Sequence, residues 1–154
     1  MDIKLSDVIE AIEFESDMIS HYYNKNTGII IYKQDMEVAS YNANDINRID
    51  LMEEWERELV KGLYDLNEHP ENYIKLPGKE ELNELDMIIN FCGSFSDINL
   101  SDLKKFNDDE KILHEAKNII RDKGLINDWY DYREYSEREI AIEWCHKNNI
   151  QYIE

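Results

Sequence analysis

The sequence predicts an α+β fold, with an N-terminal helix and a β-hairpin packed against about four further amphipathic helices in a single domain spanning 1–154. Three observations predict it. Apolar residues return at helical spacing in several separate stretches. Two short runs of β-branched and aromatic residues flank a turn-forming pentapeptide, the signature of a hairpin. No internal repeat, low-complexity tract or linker of Gly, Ser or Pro divides the chain.

From the N-terminus, a helix is expected with Ser6 as N-cap, Leu5, Val8, Ile9 and Ile12 on one face, and Asp7 and Glu10 near its positive end. The hairpin follows, Met18 to Tyr23 and Ile29 to Tyr32 around Asn24-Lys25-Asn26-Thr27-Gly28. Alternation sets Met18, Ser20 and Tyr22 on one face and Ile19, His21 and Tyr23 on the other, and neither face is plainly polar. Asn42 to Asp50 reads as a loop, since Asn and Asp favour turns. Trp55, Leu59, Leu63 and Leu66 then mark the buried stripe of an amphipathic helix that ends before Pro70, with Glu53 spaced to meet Arg57 on the exposed side. Tyr73 to Leu76, closed by Pro77-Gly78, reads as a short edge strand.

Glu80 to Cys92 is predicted as one helix with the stripe Leu82, Leu85, Ile89 and Cys92, widened by Ile88 and stopped at Gly93. Leu100 to Phe106 adds a turn or two. A further helix is expected from Asn107 as N-cap, with Glu110 in its first turn and Ile112, Leu113, Ala116, Ile119 and Ile120 buried, as far as Gly124. The last helix is expected to open on the capping box Ser136-x-x-Glu139, to bury Ile140, Ala141, Trp144 and Cys145, and to end at Asn148-Asn149.

A chain of 154 residues, 42% hydrophobic, can bury roughly 68–70% of its unfolded surface without a disulfide or a metal. Its 35 acidic against 17 basic residues leave a net charge of -18, which repels nucleic-acid backbones and anionic membranes. Direct nucleic-acid and membrane binding are therefore disfavoured, and a basic protein partner suits the surface. Cys92 and Cys145 are far apart and outside any Cys-x-x-Cys spacing, so they read as buried free thiols of a reducing compartment. With no signal-like N-terminus and no run long enough to span a bilayer, the expected setting is the cytoplasm.

The motifs that carry chemistry are thin. His114-Glu115 lacks the second His that a zinc helix needs, Asn118 standing in its place, and Cys145 and His146 are helix neighbours that diverge instead of pairing. Glu81, Glu84 and Asp86 lie close in sequence, as an acidic chain makes common. The glycines at 28, 62, 78, 93 and 124 are isolated, so no phosphate loop is written here. No catalytic residue, metal ligand or cofactor is assigned. What stands out is Trp129-Tyr130-Asp131-Tyr132-Arg133, whose residue types are those of binding hot spots. Between two packed helices, Trp129 and Tyr132 would plug the edge of the core and leave Tyr130 and Arg133 partly exposed. As a contact surface, Trp129, Tyr130, Tyr132 and Arg133 would meet a partner.

Leu5 to Phe14, the helix of Trp55, Tyr73 to Pro77, Gly124 to Arg133 and Ile140-Ala141-Ile142-Glu143-Trp144-Cys145 together resemble the uncharacterised bacterial protein family UPF 0158. The resemblance runs along nearly the whole chain and implies a small bacterial cytoplasmic protein, without an activity or a substrate. Similar proteins carry a glycine-rich, basic and aromatic run upstream of the Trp-Tyr pair; here Asp109 to Lys117 stands in its place and keeps only Lys117 of the basic pattern. An anion-binding role carried by that run is thus not expected of this chain. The leading expectation is a non-enzymatic acidic protein-interaction module. The alternatives are a small divalent-metal-dependent hydrolase using a carboxylate cluster and an acidic polyanion mimic. The oligomeric state is not written in the sequence.

Overall fold

A computed structural model describes residues 2–14, 18–35 and 39–154. In chain order they form β1 (Ile3–Lys4), α1 (Leu5–Glu13), β2 (Ile19–Asn24), β3 (Ile30–Gln34), a 3-10 helix (Ala43–Leu51), α2 (Glu54–Glu68), a 3-10 turn (Pro70–Asn72), β4 (Tyr73–Lys75), α3 (Lys79–Leu82), α4 (Glu84–Gly93), a 3-10 helix (Leu100–Lys105), α5 (Asp109–Asp122), α6 (Ile126–Lys147) and β5 (Tyr152–Ile153). The fold is α+β, as the periodicities predict.

The hairpin forms where expected. Asn24 Oδ1 accepts the backbone N–H groups of Asn26 and Thr27 at 2.8 and 3.2 Å, and Gly28 takes φ 75°, a left-handed conformation that glycine adopts without a steric cost. The antiparallel sheet has the order β3-β2-β4, in register Tyr22↔Ile31 and Tyr22↔Lys75. Its lack of a polar face has a structural cause, because both faces are covered. His21 meets Phe14 beyond α1, with ring centroids 5.3 Å apart, and Tyr23 meets Trp144 of α6 at 6.2 Å. On the other face Ile31 presses on Gly62 of α2, where an added Cβ would stand 3.0 Å from Ile31 Cγ2, and the Tyr73 hydroxyl donates to Asp65 at 2.7 Å. Gly62 costs α2 about 0.5–1 kcal/mol of helix propensity relative to Ala, and the close approach of β3 explains its place. The edge of β4 is closed by a side chain: Trp144 Nε1–H donates to the Lys75 carbonyl at 2.9 Å, which blunts an edge that could otherwise pair with another strand.

The main core joins α1, α3, α4, α5, α6 and the α6-facing side of the sheet, with Val8, Ile12, Ile88, Cys92, Ile120, Trp129, Ala141 and Cys145 fully buried. Val60, Leu63 and Leu66 of α2 are buried outside that cluster, on the opposite side of the sheet. A two-stranded parallel pair, Ile3↔Tyr152 and Lys4↔Ile153, ties the two ends of the described chain together.

Several boundaries differ from expectation, each for a tertiary or local reason. Ser6 is not the N-cap of α1; the helix starts at Leu5 straight off β1, and Lys4 in the cap position makes no side-chain bond. Asn42 to Asp50 is not a loop: Asn42 Oδ1 accepts the Asn44 N–H and Asp45 Oδ2 accepts the Asn42 N–H, both at 2.9 Å, which nucleates the 3-10 helix. The Glu80–Cys92 helix is two helices, broken at Asn83 with φ 44°, whose side chain accepts the Asp86 N–H and donates to the Asp86 carboxylate. The break turns Ile89 outward and Met87 and Phe91 inward. The N-cap of α5 is Asp108, not Asn107. Trp55, placed on the buried stripe of α2, is exposed, because the covered side of that helix centres on Val60.

Candidate functional site

The aromatic segment at the end of the chain lies inside one helix, not between two. Gly124, at φ 73°, stops α5, and the Leu125 N–H returns to the Ile120 carbonyl at 2.9 Å. From Ile126 to Lys147 no Gly or Pro interrupts the chain, so α6 runs 22 residues, about 33 Å. Ser136 therefore caps nothing. Its hydroxyl donates back to the Tyr132 carbonyl at 2.9 Å within the helix.

This continuity sorts the four candidate residues onto different sides of α6. Trp129 is 0% exposed, with Phe91 of α4 at 5.5 Å and Tyr132 nearly parallel to it at 6.3 Å. It is thus a core residue, unable to touch a partner while the fold is intact, which corrects its place in the contact surface. Tyr132, 36% exposed, caps this cluster from outside and leans on Phe91 at 5.4 Å. Tyr130 is 55% exposed. Arg133 is half-buried and faces inward, its Nε 3.5 Å from Glu84 Oε1 and 3.6 Å from Glu137 Oε1.

Around Arg133 lies a charge network that the sequence reading did not assemble. Lys117 of α5 places its Nζ 3.2 Å from the same Glu84 Oε1, so Glu84 at the head of α4 receives cations from two helices. Glu137 is 1% exposed. Burial first, and then the neighbouring Glu13 carboxyl of α1, push its pKa up to about 7, against the opposing pull of Arg133. Trp129 Nε1, Arg133 Nε and Glu137 Oε1 are buried without a hydrogen-bond partner and recur every fourth residue along α6. A carboxyl held near neutrality suits a general acid, yet Glu137 is closed off from any dissolved substrate. Its network joins α6 to α1, α4 and α5. The one local signal for it was the i,i+4 pair Arg133 and Glu137; Glu84 and Glu13 come from other helices and leave no spacing to read.

The outer side of α6 is different in kind. Asp128, Asp131, Tyr132, Tyr135 and Glu139 fall at i, i+3, i+4, i+7 and i+11, one face of a helix, and all are exposed, Tyr135 at 61%. Tyr135 carries no such signal in the sequence, because a helix beginning at Ser136 would leave it outside and part it from Glu139. Among the described residues no group of three or more His, Cys, Asp and Glu could hold a metal ion. Of the neighbouring carboxylates at the start of α3 and α4, Glu81 accepts the Gly78 N–H, Asp86 is bound by Asn83, and Glu84 is held by Lys117 and Arg133. No helix among the described residues is long and apolar enough to cross a membrane. Cys92 and Cys145 are both buried free thiols whose pKa is raised by that burial. The chain matches no known family model, no curated protein and no solved structure.

Proposed function

We propose that this protein is a non-enzymatic interaction module that docks a basic protein partner through the outer face of α6. The observation that carries the reading is a pair of phenol rings, Tyr132 and Tyr135, flanked along that face by the carboxylates of Asp128, Asp131 and Glu139, on a helix anchored from behind by Trp129 and Arg133. Tyrosine supplies rigid contact area at low entropic cost, and flanking carboxylates select cationic side chains. Tyr130, exposed as well, lies off this face on the far side of the helix. Arg133 acts from behind as a positioning residue. The net charge of -18 steers a basic partner toward the surface and disfavours a nucleic acid. A cytoplasmic setting is part of the proposal, supported by the two unpaired thiols, as is membership of the UPF 0158 family, supported by the Gly124–Arg133 and Ile140–Cys145 motifs.

The test is affinity capture from nuclease-treated lysate, with wild type beside the double variant Asp131→Lys and Tyr135→Ala, eluted by a salt gradient and quantified by mass spectrometry. Both positions are exposed, so circular dichroism should show the variant folded. Wild type is expected to retain a basic protein that salt releases, at about fivefold or more above the variant. Equal capture by both chains, or none above bare beads, defeats the proposal. A retained nucleic-acid-binding protein that added DNA displaces would mark the face as a polyanion mimic.

A further inference from the structure

Away from α6, the first turn of α2 builds an arrangement of a different kind. Tyr41 approaches from just before the 3-10 helix and meets Trp55 edge to face, ring centroids 5.9 Å apart and planes at 78°. The two rings form a right-angled corner, and Trp55 is 55% exposed although the spacing of α2 would have buried it. Each ring also donates its polar hydrogen to a carboxylate: the Tyr41 hydroxyl to Glu56 Oε2 at 2.8 Å and Trp55 Nε1–H to Glu53 Oε2 at 3.0 Å. The other oxygen of Glu56 accepts the Glu53 backbone N–H at 3.2 Å, which fixes its carboxylate at the head of the helix.

We propose that the corner of Tyr41 and Trp55, rimmed by Glu53 and Glu56, is a docking site for a lysine side chain of a basic protein partner. Four features carry this. The negative faces of two rings at right angles attract a compact cation from two sides at once, the principle of an aromatic ammonium cage. Donation of the indole and phenol hydrogens to carboxylates pushes electron density into both rings and strengthens that attraction; the same bond from Glu56 holds the Tyr41 phenol above its ordinary pKa. Glu53 and Glu56 bring negative charge to the rim. Among the described residues no lysine or arginine of this chain stands over either ring, the cation–π contact present being Lys105 on Phe106, and Glu53 forms no ion pair with Arg57. A perpendicular corner fits an ammonium better than a guanidinium, which prefers to lie flat on a single ring. The inference rests on the basic partner proposed above and names a second contact for it, on another element.

The test follows the indole cross-peak of Trp55 in a 1H–15N spectrum, assigned by its loss in Trp55→Phe, during titration with a lysine-rich peptide and with the same peptide carrying norleucine for lysine. The lysine peptide is expected to move the peak saturably and the norleucine peptide to leave it. The double variant Glu53→Gln and Glu56→Gln is expected to weaken the apparent Kd about threefold or more. Glu53 and Glu56 sit in a helix first turn, so Tyr41→Leu, which leaves that turn intact, serves as a second probe with the same expected loss. A stationary peak, an equal response to norleucine, or an unchanged Kd in both variants overturns the site. The α6 variant Asp131→Lys with Tyr135→Ala should leave the titration unaltered. A stationary Trp55 peak beside capture that still depends on α6 defeats this site alone. A moving peak beside capture that does not depend on α6 defeats the α6 face alone.

Discussion

Closed off from solvent beside Glu13 and Arg133, Glu137 keeps its proton to a pH at which exposed glutamates have lost theirs. Its pKa rises from 4.5 to about 7 on folding, so the folded state binds the proton more tightly than the unfolded chain. The stability this gives is whole below 4.5, declines as the pH rises, and is gone above about 7. Its full size is on the order of 3 kcal/mol. Glu137→Gln keeps the shape and never ionises. The difference in unfolding free energy, variant minus wild type, is therefore expected to grow between pH 5 and pH 8 by roughly 1–3 kcal/mol in urea titrations. A difference that stays flat across that range would show that Glu137 ionises in the folded protein as readily as in the unfolded chain. The groups facing Glu137 are Glu13 from α1, Arg133 and Glu134 on its own helix and, through Arg133, Glu84 from α4.

At the scale of elements, α6 decides how the candidate residues are deployed. Its buried side turns along its length, from Trp129 against Phe91 of α4, through Glu137 beside Glu13 of α1, to Ala141 and Cys145, as the helix crosses from one set of neighbours to another. A pattern that turns defeats a single-face template, which is why the first half of α6 reads as an aromatic linker and Ser136 as a cap. The two readings separate under mutation. If Ser136 capped a helix, Ser136→Ala would cost about 1 kcal/mol. In the middle of α6 it is expected to be neutral or to stabilise by a few tenths of a kcal/mol, since Ala has the higher helix propensity. Thermal unfolding of the two proteins checks this, and a clear loss of stability would argue for a break in the helix there. A similar override acts at Asn83, where one residue in a left-handed conformation divides a stripe that the sequence presents as continuous.

Over the whole molecule the charge is the dominant feature. At -18 the surface repels itself more than its few ion pairs attract, so screening is expected to stabilise the fold: the Tm should rise from low salt to about 0.5 M sodium chloride. A Tm that falls instead would mean that the Glu84, Lys117 and Arg133 network outweighs the global repulsion. The sequence by itself determined the α+β class, the hairpin with its Asn24–Gly28 turn, the edge strand before Pro77, the helix of α5, the burial of both cysteines and the acidic surface. Each of these rests on local spacing, turn chemistry or composition, which the chain carries from residue to neighbouring residue. Only the tertiary structure decided that Tyr135 shares an outer face with Asp131 and Tyr132, that Trp55 stands exposed against Tyr41, and that Glu13, Glu84, Lys117, Arg133 and Glu137 meet. The physical reason is that burial belongs to a helix face only once its neighbours are in place. Charges far apart in the chain share a site when separate helices pack, and no periodicity records which helices those are.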